Sequence, residues 1–239
     1  MIIKDLIKKA MLQLSTKRKL FWSEADFQFS LALVLRDILP KNAKIYLERP
    51  IAEMLSAQQE DNNTKNRKKF YVDIWIQIED TVYPIELKYG TKEQEIKDWD
   101  RKIIKTVNQA AYDITRFGYL FDIHRIEHIK KHLSNGNELK FGRGFAILLT
   151  NDANYYQAPK RDFSQTRDAL FRLHERTNGE PLPTKVKWNY NGDEKHWTKD
   201  LYPYNVELDL PSNFNLDWKV YLQDKEQGAD IRYLINTIE

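Results

Sequence analysis

The chain has 239 residues, enough for one sizeable domain, and its 41% hydrophobic and 31% charged residues are ordinary for a globular fold and argue against disorder. It contains no cysteine, which excludes disulfides, Cys-ligated zinc and thiol nucleophiles. A formal net charge of +3 permits nucleic-acid binding but is too small to argue for it.

The opening "MIIKDLIKKAMLQL" places Ile3, Leu6, Ile7, Ala10 and Leu14 on one helical face. It reads as an amphipathic helix within residues 1–19, because a signal peptide needs a continuous apolar run and a small-residue cleavage site. No apolar run approaches the length that spans a bilayer, so the expected location is the cytoplasm, with no membrane partner. In "FWSEADFQFSLALVLRDIL", Ser23 suits an N-cap with Asp26 at N3, and Trp22 and Phe27 hold the hydrophobic-staple positions. Pro40 ends that helix. "KIYLERPI" is a short strand, and residues 53–67 form a polar stretch that reads as a mobile loop. The basic run that overlaps its end, with Lys65, Arg67, Lys68 and Lys69, is a candidate phosphate-contacting cluster, and a solvated loop is the alternative.

"VDIWIQIEDTVYPIELKYGT", residues 72–91, has the pattern of a strand hairpin. Alternation puts Val72, Ile74, Ile76 and Ile78 on one face and Asp73, Trp75 and Gln77 on the other. In the second strand Tyr83, Ile85 and Leu87 share one face, and Glu86 and Lys88 the other. A tight turn around Glu79-Asp80-Thr81 brings Asp73 nearly opposite Glu86 or Lys88. A salt bridge facing solvent is the plain explanation of such a patch, yet one lysine cannot neutralise two acids. Convergent carboxylates are hard oxygen ligands of the kind that hold Mg²⁺. A lysine beside them can position a water or stabilise a phosphate transition state.

Residues 92–120 read as a long helical region with Ile104, Val107, Ala111, Ile114 and Gly118 on its buried face, and "DIHRIEHIKKHL" as a second helix. The row His124, His128, His132 reads as a solvated helix face, since zinc needs further ligands. "GRGFAILLTND" is a buried strand, and residues 162–180 form another helix. Beyond residue 181, "KVKWNY", "YNVELDL", "DWKVYLQ" and "IRYLINTI" read as strands. The expected architecture is one α/β domain: an N-terminal helix (1–19), a core (20–150), and a helix with a β-rich C-terminal extension (151–239).

Asp73 on one strand and Glu86-Leu87-Lys88 on the next, after a helix and a strand and before a helix and a buried strand, resemble the PD-(D/E)xK nuclease superfamily. Val72 stands where that motif carries its proline. The resemblance implies a restriction-endonuclease-like αβββαβ core over residues 20–150, with a central mixed sheet flanked by helices. It implies Asp73 and Glu86 as ligands of Mg²⁺, for which Mn²⁺ can substitute, the Leu87 carbonyl as a third ligand, and Lys88 as the catalytic lysine. Glu24 matches a glutamate that many members add from the first core helix, and Glu48 competes for that role. Gln109, grouped with Tyr112, Asp113 and Arg116 on one helical face, matches a polar residue that some members carry after the lysine strand. The implied activity is hydrolysis of phosphodiester bonds in nucleic acid, with DNA the expected substrate, and a homodimer or a partner subunit could supply specificity. The rival expectation is a nuclease-like subunit that binds nucleic acid or serves structurally, without turnover.

Overall fold

The computed structural model, which describes residues 3–51, 70–109, 111–135, 137–160, 162, 164, 166–174, 183–188, 203–212 and 214–239, opens with two amphipathic helices. Helix α1 (Ile3–Lys17) buries Leu6, Ile7, Ala10, Met11 and Leu14. Helix α2 (Glu24–Ile38) starts at Ser23, whose Oγ accepts from the Asp26 N–H at 3.1 Å, as its capping pattern predicts. The staple is made differently from expectation. Trp22 stays exposed, and Phe21 packs on Phe27 with ring centroids 5.1 Å apart.

Strands β1 (Lys44–Pro50), β2 (Tyr71–Ile78) and β3 (Thr81–Gly90) form an antiparallel meander. The apolar strand β7 (Gly144–Thr150) lies parallel to β3, and every one of its residues is buried. Two C-terminal strands, β10 (Lys219–Asp224) and β11 (Ala229–Ile238), complete the sheet in the order β1-β2-β3-β7-β11-β10, with the short β6 (Lys140–Phe141) beside β3. The β-rich C-terminal region is thus partly built into the central sheet. Helices α1 and α2 cover one face, over Ile74, Ile85, Leu87, Ile147 and Ile231. Helix α3 (Tyr112–Leu133) covers the other, where Phe117, Leu120 and Ile123 meet Ala146, Leu148 and Leu234. The fold is α/β with a mixed sheet, and among the described residues no helix is long and apolar enough to cross a membrane.

Three further expectations fail. Residues 92–120 are not one helix. They form a hairpin of β4 (Gln94–Lys97) and β5 (Ile103–Thr106), then the start of α3, which runs on unbroken through the segment expected as a second helix. The β-branched run Ile103-Ile104 and Thr106-Val107 favours a strand, and Ile96 and Ile104 pair across the hairpin and are buried. Within residues 162–180, the described part has no helix and turns at residues 166–171; Asp168 is instead held in a buried ion pair with Arg116. The histidine row is not wholly solvated either, since His124 lies in the interior. The short strands β8 (Lys185–Val186) and β9 (Leu208–Asp209) pair with each other, and β9 packs on α3.

Candidate active site

The hairpin closes at Ile78 and Thr81 and pairs back as far as Ile74 and Ile85, where the ladder stops although both strands continue. Carried one step further, this register sets Asp73 opposite Glu86. On the other side of β2, pairing skips Glu48 between Leu47–Ile74 and Arg49–Val72. Glu48 has a φ of 50°, a left-handed conformation that non-glycine residues rarely adopt. The predicted alternation slips here, because Val72 joins Trp75 and Val82 rather than Ile74 and Ile76. Gln28, buried on α2, holds the distortion. Its Nε2 donates to the Asp73 carbonyl at 2.6 Å and to Glu48 Oε1 at 2.8 Å.

Where β2 leaves, β3 presents an open edge, and alternate residues along it point their N–H groups the same way. Asp73 Oδ2 accepts from Leu87 N at 2.6 Å, and Glu24 Oε2 accepts from Tyr89 N at 2.8 Å. Gln109 Oε1 accepts from Thr91 N at 3.3 Å, while its own N–H donates to the Thr91 carbonyl at 2.9 Å. Three sequence candidates therefore meet along one edge. Gln109 reaches it from the segment before α3, not from a helix, and Arg116, expected on its face, points instead to Asp168 and the Asn154 carbonyl. Tyr112 packs edge-on against Tyr155. A cavity of about 500 Å³, lined by Glu24, Lys88, Tyr89, Gln109, Ala111 and Thr115, opens at this edge.

Glu86 and Lys88 face α3, where two residues unmarked by the sequence motif receive them. Arg125 Nη2 lies 2.6 Å from Glu86 Oε1 and 2.9 Å from Asp122 Oδ1. Asp122 Oδ2 lies 2.8 Å from Lys88 Nζ, which also donates to the Leu87 carbonyl at 3.1 Å. Gly118, one turn before Asp122, leaves room for this lysine, since a Cβ there would sit 3.4 Å from Lys88 Cε. The spacing Gly118, Asp122, Arg125 is the i, i+4, i+7 stripe of one helix face. That stripe was the available sequence signal, although it does not distinguish these residues from an ordinary polar face.

Electrostatically the site is short of positive charge. Burial pushes the Asp73 carboxyl up to about 6; Lys88 and the Leu87 N–H pull it down, while Asp122 and Glu24 push it further up. Burial also raises Glu86, against the pull of Arg125, and raises Glu24, against the pull of Lys88. Burial works against the Lys88 ammonium, but Asp122, Glu24 and Asp73 outweigh it and hold the proton more tightly than usual. The groups that act most strongly on Asp73, Glu86 and Glu24 include one another, Asp122 and Glu48 among the acids, and Lys88 and Arg125 as the cations.

Asp73, Glu86 and the Leu87 carbonyl are a hard oxygen donor set. Among the described residues no group of three or more His, Asp or Glu side chains is gathered as a ready cage. Mg²⁺ does not require one, because it binds through one or two carboxylates and keeps several waters. Glu86, 1% exposed, is paired with Arg125 through Oε1 at 2.6 Å, while its Oε2 has no hydrogen-bonded partner. The second oxygen, buried and without a partner, is where a cation would fit. The basic cluster Lys65, Arg67, Lys68 and Lys69 lies outside the described residues. Comparison of the chain with models of protein families, with curated proteins and with solved structures finds no match.

Proposed function

We propose that the chain is a Mg²⁺-dependent nuclease that hydrolyses phosphodiester bonds, with DNA as the expected substrate. The observation that carries this reading is the acidic edge of β3: Asp73 and Glu24 on successive outward N–H groups, beside Glu86 and Lys88, with more carboxylates than cations. The likeness of Asp73 and Glu86-Leu87-Lys88 to the PD-(D/E)xK motif supports it. Asp73, Glu86 and the Leu87 carbonyl would hold the metal, which when bound polarises phosphate oxygen and acidifies water. Lys88, its proton held by Asp122, Glu24 and Asp73, acts as a donor and not as a base. It orients the attacking water and steadies charge on the phosphate. Asp122 fixes the ammonium in place, and Gly118 gives it room.

The second reading, a nucleic-acid-binding or structural subunit without turnover, is favoured by the Glu86–Arg125 ion pair, which engages one proposed ligand within the protein. One assay separates the two. Plasmid, linear and single-stranded DNA and RNA are incubated with Mg²⁺ or Mn²⁺ and either the wild-type protein or Lys88→Ala. Metal-dependent cleavage by the wild type, reduced at least a hundredfold in Lys88→Ala, is the expected result. Equal inertness of the two proteins, with both binding nucleic acid, establishes the second reading. Absence of both cleavage and binding removes the nuclease and the nucleic-acid-binding subunit alike.

A further inference from the structure

Helix α3 carries a second cluster that the carboxylate site does not use. His124 and His128, at i and i+4, point their Nε2 atoms at each other across 3.2 Å. With nitrogen–metal bonds of about 2.05 Å, that separation corresponds to an angle of about 100° at a shared ion, near the tetrahedral value. Two histidines one turn apart on a helix are a familiar chelating pair for such ions.

On its far side the His124 ring meets both a backbone donor and a backbone acceptor. His124 Nδ1 lies 3.0 Å from the Asp209 N–H and 3.3 Å from the Asp209 carbonyl on β9. If Nδ1 accepts from the N–H, Nε2 carries the proton and can donate to His128. If Nδ1–H donates to the carbonyl, His124 Nε2 is bare and presents its lone pair, together with that of His128, to a single point. Both tautomers are neutral, so the exchange through water changes no net charge; the metal-binding form gives up the bond from the Asp209 N–H for one to the carbonyl. Burial pushes both rings below the ordinary imidazole value, His128 to about 4 with His124 and Lys131 adding to the shift. His124 is buried and stacks on Phe121, while His128 is only half-buried and gives access from solvent.

We propose that His124 and His128 form a two-nitrogen site for a divalent first-row transition-metal ion such as Zn²⁺, distinct from the carboxylate edge of β3. Among the described residues no third His, Asp or Glu completes a cage, so water fills the remaining positions, with Asp209, whose charge acts on both rings, available as an outer partner. Imidazole nitrogen prefers Zn²⁺, Ni²⁺ and Cu²⁺ to Mg²⁺, so the two sites sort their ions by ligand chemistry. An ion there fixes the His124 ring and with it the attachment of β9 to the helix that carries Asp122 and Arg125.

The test uses the full chain, stripped with chelator and titrated with Zn²⁺ by calorimetry in excess Mg²⁺. One Zn²⁺ per chain is expected in the wild type and in Asp73→Asn, with at least a tenfold loss of affinity in His128→Gln. Copper supplies a readout that needs no variant: the electron paramagnetic resonance spectrum of the Cu²⁺-loaded wild type should show coupling to two imidazole nitrogens. Zn²⁺ binding that survives His128→Gln unchanged, or that vanishes in Asp73→Asn, overturns the proposal. So does a Cu²⁺ spectrum with oxygen ligands alone, or no binding below millimolar Zn²⁺.

Discussion

Replacing Asp73 with Asn should stabilise the metal-free protein, and the effect should depend on pH. The folded state moves this carboxyl from its ordinary 3.8 to about 6. A group raised in this way gives its full support below the unfolded value, and that support is lost as pH rises through the folded one. The accumulated cost is about 0.5 kcal/mol at pH 4 and about 3 kcal/mol at pH 8. Asn keeps an oxygen to accept from the Leu87 N–H and carries no charge. Lys88 loses one of the anions that hold its proton, which offsets part of the gain. A net stabilisation of about 1–2 kcal/mol at pH 8 remains, or about 2–8 °C in melting temperature for a chain of this size. The assay is urea unfolding in EDTA at pH 4 and pH 8, repeated at pH 8 with Mg²⁺ or Mn²⁺. Metal at a hundredfold excess over its dissociation constant adds about 2.7 kcal/mol to a protein that binds it, so the wild type should overtake the variant. A variant less stable than the wild type in EDTA, by the same margin at both pH values, would refute the reasoning and make Asp73 a structural partner of Lys88.

Arg125→Met should destabilise by about 3–5 kcal/mol at pH 8, because it leaves Glu86 and Asp122 buried without the guanidinium they share; urea unfolding should show a smaller loss at pH 5, where Glu86, already raised by burial, takes a proton more readily. Gly118→Ala should be stabilising by up to about 1 kcal/mol through helix propensity, since its Cβ would only touch Lys88 Cε at 3.4 Å. Gly118→Leu should displace the lysine and remove cleavage while circular dichroism stays unchanged.

The hairpin could be read in the sequence because its turn and its alternation agree. Glu79 and Asp80 sit between two apolar strands, and the register that follows, carried one step beyond Ile74–Ile85, sets Asp73 opposite Glu86. Glu24 was legible as an acid in the first turn of a helix, a position favoured by the helix dipole, though nothing local says that it reaches Tyr89. The slip at Glu48 and Asp73 could not be read, because it depends on Gln28, 45 residues before Asp73 in the chain. Asp122 and Arg125 were hidden by their setting, since a charged pair at i, i+3 on a helix is ordinarily a solvated one. The β4–β5 hairpin was missed because Ile96 and Ile104 also suit a helical face, and only their tertiary partners decide between the two periods. Likewise, the place of β11 beside β7 comes from long-range pairing that no short window contains.

A structural account of the charged cluster goes part of the way. Glu86, Arg125, Asp122 and Lys88 alternate in sign and form a balanced chain between β3 and α3. The open edge of β3 lies outside that balance. At Thr91 the edge is capped by Gln109, a neutral side chain that meets the backbone at no electrostatic cost. At Leu87 and Tyr89 the same task falls to Asp73 and Glu24, two carboxyls that desolvation and the neighbouring acids raise above their ordinary values. An amide would cap those N–H groups equally well, so capping alone does not explain the choice of acid. The carboxylates are explained if, as proposed, the edge also receives a cation, and the contrast between Gln109 and its two acidic neighbours is what that proposal accounts for.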